Sequence, residues 1–285
     1  MGASVTITMF SIAGLILTFL IYHSAHGLPD TQIVGGDDAP DGKYPYQVSL
    51  KHTFDGKHFC GGAIVSKNYI LTAAHCLKSV PHPANVLINV GTNLLYDEST
   101  LRVTYAAKNI IKHPDYNDTL RSNDIGLIEL TEEMKFNDNI KEINLISSDE
   151  KFEGVDFIVT GWGRTLPNVE YSPRLQQIVV KGFNQTRCAE TYKHKGIQIT
   201  DRHLCTHLAY SVGVCQGDSG GALTLNGNLV GIVSFGSCAS GDPDVFTRVF
   251  PYKSWLHEYI NAGNNQQLNI LLGLVTMYLC VHLSL

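Results

Sequence analysis

A glycine-rich stretch at residues 213–221 contains a serine whose surroundings favour chemistry over packing. The stretch reads Gly-Val-Cys-Gln-Gly-Asp-Ser-Gly-Gly and has no side chain bulky enough to fill a core. Its last five residues include three glycines, which weaken helix and strand alike but permit a tight backbone. In such a backbone the amides of Gly217 and Ser219 can point at one spot beside the hydroxyl and stabilise an oxyanion. The alternative is a tight turn pinned by Cys215.

A serine hydroxyl is a weak nucleophile until a neighbouring base takes its proton. Residues 72–76 (Thr-Ala-Ala-His-Cys) offer His75, and Asn-Asp-Ile-Gly at 123–126 offers Asp124 at the start of an apolar strand. A carboxylate at a buried strand edge is costly unless it is paired, and an imidazolium formed during catalysis is a suitable partner. A single histidine or aspartate is usually structural. The three residues together predict nucleophilic catalysis by Ser219.

Several motifs give the chain a family resemblance. It resembles the chymotrypsin-like serine endopeptidases of the trypsin fold, from residue 33 to about residue 260, roughly four-fifths of its length. The motifs are, in chain order, IVGG at 33–36, CGGAIVS at 60–66, TAAHC at 72–76, NDIGLIEL at 123–130, TGWG at 160–163, GDSGG at 217–221 and VSFG at 233–236.

The resemblance assigns a role to each candidate residue. Ser219 is expected to attack the peptide carbonyl, while His75 takes the proton and later returns it. Asp124 holds the imidazole in the right tautomer, and Ser234 hydrogen-bonds Asp124 and supports the substrate backbone. The amides of Gly217 and Ser219 hold the oxyanion. No cofactor and no metal are expected.

Two other classes of function compete with a protease. One is a non-catalytic protease homologue that acts as a binding adaptor, although such homologues usually lack a member of the triad. The other is an esterase, since ester and peptide cleavage share the acyl-enzyme. As partners we expect protein or peptide substrates, an activating protease and protein inhibitors.

Composition narrows the partners and the compartment. The 285 residues carry a net charge of −5 without a basic run, so a nucleic-acid partner is not expected. Their 44% hydrophobic content allows a substantial core. Seven cysteines indicate an oxidising compartment and a secreted or extracellular protein.

The N-terminal region predicts processing. Residues 1–27 contain no Lys, Arg, Asp or Glu and resemble a secretory signal cut near Gly27, with a short membrane anchor as the alternative. Residues 28–32 are then a short propeptide. In the resembled family, cleavage before Ile33 creates an ammonium group that inserts beside Asp218 and orders the oxyanion hole. Gln32 stands where the family usually has Arg or Lys, which leaves the activating protease open.

The predicted fold is all-β. Short runs rich in β-branched and aromatic residues alternate with turn signals, which indicates a barrel or sandwich. The resemblance implies two antiparallel six-stranded β-barrels, at about residues 33–143 and 144–250, and a C-terminal helix at 250–260, within a protease domain at 33–263. Residues 138–153 are expected to cross between the barrels. The predicted strands are 47–50, 61–65, 69–72, 86–90, 101–105, 125–130, 157–159, 176–180, 223–225 and 230–235.

The resemblance also implies three disulfides: Cys60–Cys76, Cys188–Cys205 and Cys215–Cys238. The sequons at Asn117 and Asn184 are candidate glycosylation sites. Where family members with a calcium loop carry a Glu after Gly, this chain has Thr92, so no calcium site is expected.

The resemblance places the pocket for the substrate residue before the scissile bond, called P1, at a few positions. Gly213 forms the floor, where an Asp would select Lys or Arg, and Val214 and Gln216 lie near it. Gly236 is expected to leave the entrance open. This apolar slot predicts a preference for Phe, Tyr, Trp or Leu. Asp244 on the pocket wall suits a broader, collagenolytic or trypsin-like specificity, unless it is neutralised by hydrogen bonds or is only a turn residue.

The C-terminal tail, residues 264–285, ends in an 18-residue apolar run at 268–285. Small residues and a short polar spacer precede it, an order that resembles a GPI-attachment signal. The alternatives are an intact hydrophobic anchor and a soluble secreted form. Loss of the tail would remove Cys280 and leave six cysteines for three disulfides.

Overall fold

The computed structural model describes residues 36–96, 101–164, 170–208, 213–236, 238 and 240–261. Fourteen strands and three α-helices are present in these residues. The strands are β1 (Asp37–Asp38), β2 (Gln47–His52), β3 (His58–Ile64), β4 (Tyr69–Thr72), β5 (Val86–Val90), β6 (Val103–Lys112), β7 (Gly126–Leu130), β8 (Asn144–Leu145), β9 (Asp156–Gly161), β10 (Gln176–Lys181), β11 (His203–Thr206), β12 (Ala222–Leu225), β13 (Asn228–Phe235) and β14 (Asp244–Arg248). The helices are α1 (Ala74–Lys78), α2 (Gln185–Lys193) and α3 (Lys253–Ile260).

The first half is a closed antiparallel barrel in the order β2-β3-β4-β7-β6-β5. Strand β2 illustrates why it closes so tightly, since five of its six residues are buried. Val48 and Leu50 face the barrel core, as expected for alternate residues of a strand. The polar residues between them also have partners, because Gln47 accepts a hydrogen bond from Thr160 at 2.7 Å and Ser49 contacts a histidine.

The second half contains an eight-stranded sheet with the path β1-β10-β9-β12-β13-β14-β11, and β8 pairs with β13. In this path β10 and β11 are the first and last of six consecutive strands, β10-β9-β12-β13-β14-β11. An isolated bridge between Gly182, directly after β10, and Thr206 on β11 brings these two strands together. Phe183 N donates to Cys205 O at 2.8 Å beside it. The predicted all-β fold class is confirmed, with a closed six-stranded barrel in the first half and a half-barrel in the second half.

The C-terminal helix packs back onto the first half. The predicted helix over 250–260 begins as a 3₁₀ turn, Phe250–Tyr252, and becomes α-helical at Lys253. Tyr252 and Leu256 are buried in the same cluster as the first-barrel core. Within the described part of the chain, no helix has the length and apolar character needed to cross a membrane.

Glycines let the two halves approach at the centre of the molecule. Gly61 N on β3 donates to Ser219 O at 2.7 Å. A Cβ added to Gly61 would lie 3.0 Å from the Cα of Gly221, tighter than ordinary carbon contacts. Strand β3 and the loop that carries Ser219 are therefore in direct backbone contact, and this contact positions the site described next.

Candidate active site

His75 lies on the short helix α1, which follows strand β4 directly. Cys76, its neighbour, is joined to Cys60 on β3. The His75 amide donates to Asp124 Oδ1 at 2.8 Å, and its ring Nδ1 lies 2.7 Å from Asp124 Oδ2. A carboxylate accepts only, so Nδ1 carries the proton and Nε2 is left with a lone pair. His75 is thereby held as a proton acceptor.

Asp124 is completely buried just before β7. Beyond the two bonds from His75, its Oδ2 accepts from Ser234 Oγ at 2.5 Å. Its backbone oxygen accepts from Thr247 Oγ1 at 2.8 Å. Asn123, directly before it, has φ of 52°, a left-handed conformation that Asn tolerates better than most residues. The turn thus delivers a carboxylate with three donors to the junction of the two halves.

Ser219 is half-exposed at this junction, fixed by backbone contacts. Gly220 has φ of +77°, and an added Cβ there would lie 2.2 Å from Thr72 Oγ1, so only glycine fits. This packs the serine loop against the end of β4, two residues before α1. Among the described residues no hydrogen bond joins Ser219 Oγ to His75, and neither Gly217 N nor Ser219 N donates to a carbonyl. Catalytic hydrogen bonds often tighten only when substrate binds.

Asp218 is fully buried behind the serine loop. Its carboxylate accepts from Gly163 N at 2.8 Å and from Cys215 N at 3.0 Å. An added Cβ on Gly163 would lie 2.2 Å from Asp218 Oδ2, so the glycine makes room for the carboxylate. Burial raises the Asp218 pKa to about 6. Ile33, the predicted partner of Asp218, lies outside the described residues.

His58 holds the loop that contains Gly217, one of the two proposed oxyanion donors, and the sequence analysis did not predict this role. It is buried, with Nε2 2.9 Å from Gly217 O and Nδ1 2.9 Å from Ser49 Oγ. Burial lowers its pKa to about 4, so the ring is neutral at pH 7. A carbonyl can only accept, so Nε2 carries the proton and Nδ1 accepts from Ser49. Its position two residues before the Cys-Gly-Gly motif was the available signal.

The predicted pocket residues meet at one place. Val214 N donates to Asp244 Oδ2 at 3.0 Å, and the Val214 side chain joins the second-half core. An added Cβ would lie 2.4 Å from Asp244 Oδ2 at Gly213 and 2.3 Å from Asp244 Oδ1 at Gly236. The Asp244 carboxylate therefore borders Gly236, and the open entrance expected there stays a prediction. Asp244 begins β14, which also argues against a simple turn residue.

The other predicted site residues lie at the edges of this region. Gln216 is exposed, and its backbone oxygen accepts from Arg164 N at 2.8 Å. Ser234, on β13, is buried beside Asp124. All three implied disulfides are present: Cys60–Cys76, Cys188–Cys205 and Cys215–Cys238.

The two sequon asparagines differ in their surroundings. Asn117 is exposed, and its Oδ1 accepts from Leu120 N at 2.9 Å. Asn184 caps helix α2, where its Oδ1 accepts from Arg187 N at 3.0 Å. Its Nδ2, the atom that a glycan would occupy, donates to Glu153 Oε2 at 2.9 Å. Glycosylation at Asn184 would replace that hydrogen bond.

One cluster in the described residues has the composition of a metal site. Donor atoms of Cys60, His75 and Cys76 lie within 4.8 Å of one another. The two sulfurs are bonded to each other, so neither can act as a thiolate ligand. The cluster is part of the histidine's support.

A two-barrel fold that holds a buried Asp–His pair beside a serine loop defines a serine endopeptidase of the double-barrel class. A sequence model of the trypsin family matches residues 33–256. Chymotrypsin-2 of Vespa crabro is 43% identical over 227 residues, which are 79% of this chain and 99% of that protein. Trypsin II-P29 of Gallus gallus is 37% identical, over 83% of this chain and 92% of its own length. Serine protease 1 of Rattus norvegicus is also 37% identical, over 82% and 92% respectively. The chain belongs to the trypsin family of serine proteases, which act on protein substrates.

Proposed function

We propose that the processed chain is a secreted serine endopeptidase in which His75, Asp124 and Ser219 carry out acyl transfer. The observation that carries this proposal is the pair of hydrogen bonds from His75 to the Asp124 carboxylate, one from its backbone amide and one from its ring Nδ1. This arrangement leaves the lone pair of Nε2 to take a proton, and Cys76 Sγ lies 3.7 Å from that nitrogen. No other buried carboxylate in the described residues has such a partner.

The proposed reaction follows from this proton arrangement. Ser219 Oγ attacks the substrate carbonyl while His75 Nε2 takes its proton, and Asp124 stabilises the imidazolium that forms. The amides of Gly217 and Ser219, which have no carbonyl partner among the described residues, donate to the oxyanion. Return of the proton to the leaving amine gives the acyl-enzyme, and water then attacks it by the same steps.

We further propose a chymotrypsin-like preference for Phe, Tyr, Trp or Leu at P1. The floor residue, Gly213, brings no charge to the pocket. The similarity to Chymotrypsin-2 of Vespa crabro supports the same preference. A second candidate is cleavage after Lys or Arg, and the position of the Asp244 carboxylate between Gly213 and Gly236 favours it.

Processing completes the proposal. We propose that the chain loses a signal peptide at 1–27, a propeptide at 28–32 and a C-terminal tail at 264–285. Its three disulfides support this processing, because disulfides fit an extracellular protein. Among the described residues, the fully buried Asp218 accepts two amide hydrogen bonds, and an ammonium group from Ile33 would place a compensating positive charge beside it.

The test uses the full chain with residues 28–32 replaced by the recognition sequence of an added protease, so that cleavage frees Ile33. Peptides that differ only at P1 are then assayed, with Ser219→Ala as the control. We expect fast cleavage after Phe, Tyr or Leu that is absent in the control. Folded, processed protein that cleaves no peptide would favour a non-catalytic adaptor, and binding activity that survives in Ser219→Ala would identify it.

A further inference from the structure

The turn that leads into Asp124 has a demanding backbone. Arg121 and Asn123 have φ values of 54° and 52°, so two non-glycine residues close together adopt the left-handed conformation. Such residues persist only where their surroundings hold them in place. One hold is the hydroxyl of Tyr252, which donates to Asn123 Oδ1 at 2.9 Å. Because Asp124 follows Asn123 directly, the position of its carboxylate depends on what holds this turn.

Two further contacts come from neighbouring strands of the second half. Thr247 Oγ1 on β14 donates to Asp124 O at 2.8 Å, and His203 Nε2 on β11 lies 3.0 Å from Arg121 O. His203 and Thr247 stand directly opposite each other in the antiparallel register of β11 and β14. The two strands therefore hold the turn at both ends. Among the described residues, no other donor bonds to Arg121 O.

The contacts of the His203 ring assign its proton. The residue is 1% exposed, and its Nδ1 lies 3.0 Å from Thr200 N. A backbone amide can only donate, so Nδ1 accepts, and Nε2 carries the proton that is donated to Arg121 O. Burial lowers the pKa of His203, which keeps the ring in this neutral form near pH 7. The donor for Arg121 O is therefore fixed by the fold.

Loss of this donor would act on catalysis through Asp124. Without it, Arg121 O has no partner among the described residues, and the turn can relax toward the commoner right-handed conformation. Such a change would move the carboxylate that now lies 2.7 Å from His75 Nδ1. A displacement of about 1 Å at a catalytic group is enough to slow the chemical step strongly. Substrate binding would change little, because His203 is buried behind the turn.

We propose that His203 is a positioning residue for the triad: by donating to Arg121 O, it holds the left-handed turn that sets the place of the Asp124 carboxylate. The inference rests on the proposed endopeptidase function and adds a group to it that does not touch the substrate. His203 and Thr247 act together as a pair of facing strand residues, one at each end of the turn.

The experiment compares two amide variants in the processed full chain. In His203→Gln the amide nitrogen reaches about as far as Nε2, whereas in His203→Asn it ends near the place of Nδ1, too short for Arg121 O. Fluorophosphonate labelling counts the active molecules, and kcat and KM are measured on a peptide that the unmodified enzyme cleaves. We expect His203→Asn to lower kcat about tenfold with KM within about twofold, and His203→Gln to restore most of kcat.

Two controls make the test specific. His207 Nε2 also lies 3.0 Å from a backbone oxygen, that of Gly241, which is not part of the Asp124 turn. His207→Asn should therefore leave kcat within about twofold. The second control combines His203→Asn with Asp124→Asn. If His203 acts through the Asp124 carboxylate, the double variant should lose no more kcat than Asp124→Asn alone.

The outcomes separate this inference from the proposed function. An unchanged kcat in His203→Asn would overturn the positioning role, and so would a loss that lies in KM or that His203→Gln shares in full. A loss that persists in the Asp124→Asn background would show that His203 acts elsewhere. If His203→Asn does not fold, His203→Met, which also lacks the donor, is judged by the same criteria. An unmodified enzyme that cleaves no peptide would instead contradict the proposed function.

Discussion

Asp124 and Asp244 are both buried carboxylates, one in the junction between the barrels and the other in the pocket. Asp124 is 0% exposed and accepts from His75 N, His75 Nδ1 and Ser234 Oγ. Asp244 is 5% exposed and accepts only from Val214 N among the described residues. Burial is nearly equal, so the number of donors makes the difference. It teaches that several hydrogen-bond donors compensate the charge of one buried carboxylate, whereas burial with a single donor raises the pKa of Asp244 to about 7.

The largest effect is expected from Asp124→Asn. An amide places either an acceptor or a donor toward His75 Nδ1, and it cannot replace the charge that stabilises the imidazolium. We expect kcat to fall about 10⁴-fold with little change in fold, as in the analogous variant of the serine-protease template. Asp118→Asn, which changes a partly exposed acid paired with Lys78 on the preceding loop, is the matched control and should stay within a few-fold of the unmodified enzyme. A comparable loss in both variants would contradict the special role of Asp124.

His58→Ala should lower the free energy of unfolding more than it lowers catalytic activity. The change leaves Gly217 O and Ser49 Oγ without their buried partner and opens a cavity, for which a loss of about 3 kcal/mol in unfolding free energy is reasonable. Urea denaturation measures it.

The pH dependence of this variant provides a second readout. The pKa of His58 in the folded protein, about 4, lies below its ordinary value of 6.5. The unfolded chain then binds more protons between these values, so the unmodified protein loses stability as the pH falls from 6.5 to 4. The deficit of His58→Ala should therefore narrow over this window. Parallel stability curves for the two proteins would show that His58 is not buried as a neutral ring.

Ser234→Ala removes one donor from Asp124 and so makes it more like Asp244. A hydrogen bond to a charged group contributes roughly 1.5–3 kcal/mol, and part of this will be replaced by water. We expect kcat/KM to fall about tenfold on peptides with a good P1 residue. Activity equal to that of the unmodified enzyme would mean that the two bonds from His75 suffice for Asp124.

Asp244→Asn should stabilise the protein at alkaline pH. The pKa of Asp244 in the folded state, about 7, is raised above its ordinary value of 3.8 by burial. The folded state then holds the proton more tightly, so stability falls as the pH rises from about 4 to 7 and stays low above it. The Asn variant has no such proton to lose. Its Tm should therefore exceed that of the unmodified protein by several degrees more at pH 8 than at pH 4. An equal Tm difference at both pH values would contradict the raised pKa of the buried Asp244.

Most of the fold was predictable because strand periodicity and the motif spacing agree. The cores of strands such as β4 and β5 were placed to the residue, since apolar runs bounded by turn signals define them. Strands β1, β8, β11 and β14 were not predicted. The first two have only two residues each, and β14 follows a Gly-Asp-Pro turn and begins with a charged residue, which is a poor strand signal.

Local sequence motifs predicted which residues belong to the site, but they could not predict the contacts between residues that are distant in sequence. Small residues around His75 and the acid before an apolar strand identified both partners. No pattern could reveal that the Asp244 oxygens fill the space beside Gly213 and Gly236, because that contact joins β14 to two loops distant in sequence. The bond from His58 to Gly217 spans 159 positions and was hidden for the same reason.

The most direct test of the account is covalent labelling with a fluorophosphonate, in which Ser219 Oγ bonds phosphorus and fluoride leaves. The full chain, processed to free Ile33, is incubated with the probe, and mass spectrometry locates the label. The account predicts about one label per chain on Ser219, strongly slowed in Asp124→Asn and absent after denaturation. Folded, processed protein that remains unlabelled, or that carries its label on another residue, would contradict the assignment of Ser219 as the nucleophile.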